Sequence, residues 1–178
     1  MSELGIATAA SDKIANAAKA IVRRNTEEVQ SRGNFEVFDE LFADNFVDHT
    51  PQPNMTPDKA GVRQLYPYIR GAFPDFHAEI HWQLSDGDRV TTYKTYYGTH
   101  EGTLFGVAPT HRKIHFESVD VMRVRNGKIT DHWGVGNLLS LMQQIGGWTP
   151  PSESKRRTER VMATSDLERL FDDWALAW

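Results

Sequence analysis

The sequence predicts an α+β domain with helices packed on one face of a curved, mostly antiparallel sheet. Three observations predict it. Apolar residues recur at helical spacing as far as residue 73, the period changes to two from residue 75, and the extended segments that follow are joined by short polar turns.

The first helix is expected over residues 11–31, where Ile14, Ala17, Ala18, Ile21, Val22 and Val29 form an apolar stripe and Ser11 or Asp12 can cap the start. Gly33-Asn34 breaks the pattern, and Phe35, Val37, Phe38, Leu41 and Phe42 suit a second, short helix. Phe46 to Thr50 reads as extended, residues 51–58 as a loop, and residues 57–73 as a third helix. In the next segment Phe76, Ala78, Ile80, Trp82 and Leu84 alternate with polar residues, which predicts a strand with those five on its buried face. Ser85-Asp86-Gly87-Asp88 is a hairpin turn signal, and further strands follow at 89–99, 112–125 and 128–135. Asn126-Gly127 suits a tight two-residue turn between the last two. A closing helix from Leu138 to Ile145 ends at Gly146-Gly147. The domain is expected over 1–147. Residues 148–178 are expected to hold a polar, proline-bearing linker and an amphipathic helix carrying Leu167, Leu170, Phe171 and Trp174.

Composition narrows the function classes. Without cysteine, the chain of 178 residues has no thiolate nucleophile, disulfide or cysteine-bound metal, so its chemistry must come from oxygen and imidazole. A formal charge of −4 and the lack of a basic stripe argue against nucleic acid and anionic lipid. The first residues lack a signal peptide's pattern and no apolar run reaches membrane-spanning length, so a cytoplasmic protein is expected.

Strand parity then selects candidate residues, because side chains two apart share a face. Ile129, Asp131, Trp133 and Val135 share one parity, so Asp131 is expected to point into an apolar pocket. By the same rule His115 and Glu117 share a face with Val119 and Val121, and His132 points away from the pocket. The competing reading pairs the carboxylates with arginine: an edge position for Asp131, and Arg112 or Arg123 beside Glu117. Tyr93 and Tyr97 could line the pocket, and His49 could reach its mouth. The pairs His77/His81 and His111/His115 are four apart, but in extended segments without the HExxH glutamate they do not make a zinc site, and no metal is expected. Gly134-Val135-Gly136 lacks the third glycine of a dinucleotide fingerprint.

The stretch from Gly98 to Gly146 resembles the SnoaL-like polyketide cyclases, or ester cyclases, of the NTF2-like superfamily. The resemblance rests on Gly98-Thr99-His100 with Gly102, Gly106 through Thr110, Asp120, Arg123 before Asn126-Gly127-Lys128-Ile129, His132-Trp133, and Leu141 with Gln144 and Gly146. Phe46-Val47-Asp48-His49 and Ala72-Phe73-Pro74-Asp75 extend it, so that it covers roughly residues 13–147. His111 and Asn137 depart from it, standing where a glycine and an acidic residue are common. The resemblance implies a cone-shaped α+β barrel with a deep apolar cavity, self-association through the sheet as a homodimer or homotetramer, and ring closure of a small apolar carbonyl substrate by intramolecular aldol chemistry without metal or cofactor. It implies Asp131 as acid/base and Glu117 as its polar partner, with burial against Trp133 raising the Asp131 pKa. His49, Tyr93, His100, His115 and Trp133 are the expected substrate contacts. Hydrolysis or isomerisation on the same scaffold is the alternative, the hydrolase needing an Asp-Arg-Asp set in the cavity; a non-catalytic ligand-binding module is the other.

Overall fold

The computed structural model describes residues 3–150, and Met1–Gly147 forms one compact unit. The expected C-terminal linker helix lies outside the described residues. The elements are α1 (Glu3–Arg24), a π-helical turn (Asn25–Gln30), α2 (Phe35–Leu41), β1 (Phe42–Asp48), α3 (Lys59–Ala72), β2 (His77–Asp86), β3 (Arg89–Thr99), β4 (Lys113–Arg125), β5 (Lys128–Gly136) and α4 (Leu138–Ile145). The strands form a single sheet in the order β1-β5-β4-β3-β2, antiparallel throughout except that β1 runs parallel to β5. This is the predicted α+β arrangement. No described helix is long and apolar enough to cross a membrane.

Local chemistry explains most boundaries. Asn34 caps α2 by accepting from the amides of Glu36 and Val37, and Asp58 caps α3 through those of Ala60 and Gly61. Asn126 and Gly127 take φ of +51° and +73°, the left-handed pair that a tight hairpin requires. Asn137, one of the two departures from the resemblance, caps α4 by accepting from the Ser140 amide. Gly102 lies where the chain after β3 crosses the end of α3, and both it and Glu101 donate to the Ala72 carbonyl. A Cβ at Gly102 would fall 2.0 Å from the Gly71 carbonyl oxygen, so only glycine permits this approach.

Two irregularities depart from the alternation read in the sequence. The register of β2 against β3 slips between Ile80 and Trp82, a bulge at His81, after which the parity inverts. Trp82 and Leu84 are therefore exposed instead of buried. In β5 the pairing passes from Val124↔Ile129 directly to Arg123↔Asp131, which leaves Thr130 as an extra, unpaired residue.

The interior has two apolar clusters. Val22, Val29, Phe38, Phe42, Phe46, Val90, Met122 and Ile129 belong to one, and Phe73, Phe76, Tyr96, Leu104, Ile114, Phe116, Leu141 and Ile145 to the other. Along β3 the inward column runs Val90, Thr92, Lys94, Tyr96; along β4 it runs Ile114, Phe116, Ser118, Asp120, Met122. Each strand thus carries apolar residues at both ends of its buried face and polar ones in the middle. The result is a polar belt between two cores.

Candidate active site

The belt forms one end of a cavity of about 430 Å³. Its walls are apolar and largely aromatic, with Phe73, Phe76, Tyr96, Phe116 and Leu141 among them, while Asp48, Asp120, Ser118 and His132 supply the polar end. A concave apolar pocket with a few convergent polar groups is the usual form of a small-molecule site.

Four strands and the π-helical turn build the polar end. His132 donates from Nδ1 to Asp48 Oδ1 at 2.9 Å, and Asp48 also accepts from the Thr50 amide at 3.0 Å. Its other ring nitrogen, Nε2, lies 3.9 Å from Asp120 Oδ1. That separation is too long for a hydrogen bond. Asp120 Oδ1 accepts from the Ser118 hydroxyl at 2.9 Å, and Oδ2 from the ammonium of Lys94. Lys94 in turn donates to Gln30 Oε1 at 2.6 Å, which also accepts from the Tyr96 hydroxyl at 2.9 Å. The π-helical turn is what brings Gln30 inward, and single π turns recur at functional sites. Gly134 makes room for the imidazole, since a Cβ there would fall 2.8 Å from His132 Nε2 and 3.1 Å from Asp120 Oδ1.

The electrostatics follow from burial and charge. Burial alone would raise the Asp120 carboxyl, but the Lys94 ammonium and the His132 imidazole outweigh it and hold the group well below the usual carboxylate range. Burial works against the His132 imidazolium, yet the carboxylates of Asp120 and Asp48 push its pKa up to about 9. Burial likewise opposes the Asp48 carboxylate, and hydrogen bonding from His132 brings it below its ordinary value. Burial lowers the Lys94 ammonium from its ordinary value and the Asp120 carboxylate opposes that shift, so the set pairs two carboxylates with two basic groups. One of them, the His132 Nε2–H, is an acid facing the cavity.

None of the seven residues expected at the site lines this cavity. For Asp131 and Trp133 the bulge at Thr130 is the reason: Ile129 still faces the core, but beyond the extra residue Asp131 turns outward and His132 inward. On the outer face Asp131 accepts from His49 Nε2 at 2.9 Å and from Thr130 Oγ1 at 2.8 Å, and it pairs with Arg123 Nη1 at 3.2 Å. The competing arginine-paired reading is the one that its geometry fits. The expected upward pKa shift reverses: burial is overcome by His49, Thr130 and Arg123, which hold the carboxyl below its ordinary value. Asp131 opens on a separate groove of about 490 Å³, lined by Arg123, Arg125 and Lys128 among others.

Trp133 is on the same outer face, stacked on His49 at 4.3 Å and under the Arg123 guanidinium at 5.3 Å. Glu117, His115 and Tyr93 take the outward parity of β4 and β3, opposite to Phe116, Ser118 and Lys94. Neither arginine proposed for Glu117 pairs with it, since Arg112 bonds the Gln144 carbonyl and Arg123 bonds Asp131. His100 is fully buried but away from the cavity, with Nδ1 hydrogen-bonded to Thr110 Oγ1 at 3.0 Å and its ring against Phe73. An Asp-Arg-Asp set does occur, Arg123 lying 3.2 Å from Asp131 and 3.5 Å from Asp88, but it faces the outer groove and not the cavity that hydrolysis requires.

The residues that sequence reasoning missed are Asp48, Asp120, His132 and Gln30, which line the cavity, and Lys94, which bonds Asp120 and Gln30. A count of the two parities of β4 was the available signal for Asp120. Its even positions carry Ile114, Phe116, Met122 and Val124, against Val119 and Val121 on the odd ones. No comparable signal marked His132, because nothing in Lys128-Ile129-Thr130-Asp131 announces a bulge.

The SnoaL-like polyketide cyclase profile matches residues 20–145, and the chain belongs to that family. It is 32% identical over 94 residues to the nogalonic acid methyl ester cyclase of Streptomyces nogalater, a match covering 52% of this chain and 70% of that protein. It is also 32% identical over 106 residues to the aklanonic acid methyl ester cyclase DauD of Streptomyces sp. strain C5, covering 54% of this chain and 66% of that one. Among solved structures, IdmH from Streptomyces antibioticus superposes with a TM-score of 0.65 at 27% identity, over 72% of this chain and 98% of that one. A SnoaL-like polyketide cyclase from Agrobacterium tumefaciens shares the fold at a TM-score of 0.59 and 17% identity, over 72% and 97% of the two chains.

Proposed function

We propose that the chain is a cyclase that closes a ring on a flat, apolar, carbonyl-rich polyketide ester by intramolecular aldol addition, with Asp120 as base and His132 as acid. The carrying observation is the gap of 3.9 Å between His132 Nε2 and Asp120 Oδ1 at the polar end of an otherwise apolar cavity. A carbonyl oxygen placed there accepts from the imidazolium while Asp120 Oδ1 takes a proton from the adjacent carbon. The enolate carbon then bonds to a second carbonyl carbon of the same molecule. The alkoxide formed takes back the proton from Asp120, so the atoms balance and the enzyme is unchanged. Asp120 is a weak base on its own, and the step depends on the imidazolium holding the enolate oxygen as charge develops. Asp48 fixes the orientation of His132 through Nδ1 and keeps Nε2–H aimed at the cavity.

The names of the two methyl ester cyclases support an ester of this class as substrate. Self-association through the outer sheet face belongs to the same reading, because Trp82, Leu84, Val119 and Val135 are exposed there. Sedimentation equilibrium showing only monomer would remove that part.

The decisive test is turnover of nogalonic or aklanonic acid methyl ester by three variants. Asp120→Asn and His132→Gln should each lower kcat by a factor of roughly 10² or more, the range for loss of an acid/base group. Asp131→Asn should keep activity within about threefold, because surface ion pairs contribute little. Loss with Asp131→Asn and retention with Asp120→Asn would return the chemistry to the outer face. Ligand binding with no product from the wild-type protein would make it a binding module.

A further inference from the structure

Lys94 is the one cation of the belt that the proposed reaction does not use. Its side chain is 1% exposed, its ammonium bonds Asp120 Oδ2 and Gln30 Oε1, and it sits 5.0 Å from the centre of the Tyr96 ring. It does not line the cavity, whereas its partners Asp120, Gln30 and Tyr96 do. A buried charge pair is a poor stabilising device, since apolar residues of similar volume usually do as well. The inward neighbours Val90 and Met122 show that the sheet accommodates such residues at this depth. What an apolar residue could not do is occupy one oxygen of Asp120 and leave the other directed at His132.

We propose that Lys94 is a positioning residue for the cyclisation: it anchors Asp120 through Oδ2 and so presents Oδ1 to the substrate opposite His132 Nε2. The inference rests on Asp120 being the base. The groups facing this pair are Gln30 from the π-helical turn, Asp48 from β1, Tyr66 and Arg70 from α3, Tyr96 from β3, Ser118 from β4 and His132 from β5. Arg70 bonds the Gln30 carbonyl, so the cations paired with Asp120 and Asp48 are Lys94 and His132, and Lys94 supplies one of these two positive charges. Without it the end of the cavity holds two carboxylates against a single imidazolium. Both Asp120 and His132 then bind protons more tightly.

The test is Lys94→Met, with Lys94→Gln as a second variant of different polarity. The acid limb of the kcat/KM profile should move up by about one pH unit or more, the effect of removing an adjacent opposite charge. The His132 imidazole, followed by NMR in protein without substrate, should titrate higher than in wild type. At neutral pH kcat should fall about tenfold with KM little changed, and adding Lys94→Met to Asp120→Asn should produce no further loss. A Lys94 with a purely structural role would lower thermal stability and leave both titrations where they are. That result, or borohydride trapping of a substrate ketone on Lys94, overturns the proposal. Failure of the cyclase reading looks different, for it appears as no product from the wild-type protein, and failure of the Asp120 assignment appears as full activity in Asp120→Asn.

Discussion

At the scale of single residues, the site depends on the surroundings of His132. Its pKa of about 9 against the ordinary 6.5 means the folded state binds this proton more tightly than the unfolded chain. The resulting stabilisation is fully present below pH 6.5 and is lost as the pH rises through about 9. At 1.36 kcal/mol per unit the full effect is on the order of 3 kcal/mol, of which roughly 2.5 kcal/mol remains at pH 7. Scanning calorimetry should therefore show Tm falling by roughly 5–10 °C between pH 7 and 10, at the usual slope for a chain of this size. His132→Gln should flatten that fall, and an unchanged slope would place the proton elsewhere. Gly134 is the second sensitive position. The Cβ of Gly134→Ala must displace the imidazole, whose Nε2 would be only 2.8 Å away. Turnover should fall at least tenfold by steady-state assay, a misplacement effect of the size expected for an acid moved off its line.

At the scale of elements, bulges decide which residues meet. The alternation of β3 and β4 is regular, and their inward columns can be read by counting apolar residues. In β2 and β5 one extra residue inverts the faces, so Trp82 and Leu84 become surface and Asp131 changes places with His132. Side-chain period two makes any one-residue slip complete in its effect. The crossing of α3 by the chain after β3 is equally specific. Gly102→Ala should destabilise the protein by about 3 kcal/mol or more, because its Cβ would meet backbone and not a movable side chain. Urea unfolding measures this, and a loss under 1 kcal/mol would show that the crossing can relax.

At the scale of the whole unit, two apolar clusters separated by a charged belt leave a cavity that the chain does not fill itself. A cavity of about 430 Å³ has room for an added side chain without disturbing either cluster. Leu65→Trp, on its wall, should abolish binding of an aromatic polyketide ester in titration calorimetry while moving Tm by less than about 4 °C, equivalent to about 1 kcal/mol. Undiminished affinity would mean that the ligand binds elsewhere, with the outer groove beside Asp131 as the other candidate.

Much of the molecule was determined by sequence acting locally. Helical and two-residue periods, the caps at Asn34 and Asp58, the turn at Asn126-Gly127 and the stop at Gly146 are decided within a few residues of themselves, and they specify the order and kind of most elements, but not the π-helical turn at Asn25–Gln30 or the start of α1 before Ser11. The family motifs, being short and linear, were legible for the same reason. Site membership was not local. Lys94, Asp120, His132 and Gln30 are ordinary polar residues until two cores close above and below them and remove their water. Only the tertiary structure places the extra residue at Thr130, because a bulge is chosen by how β5 pairs with β1 and β4 together. It turned Asp131 to the outer face and His132 into the cavity.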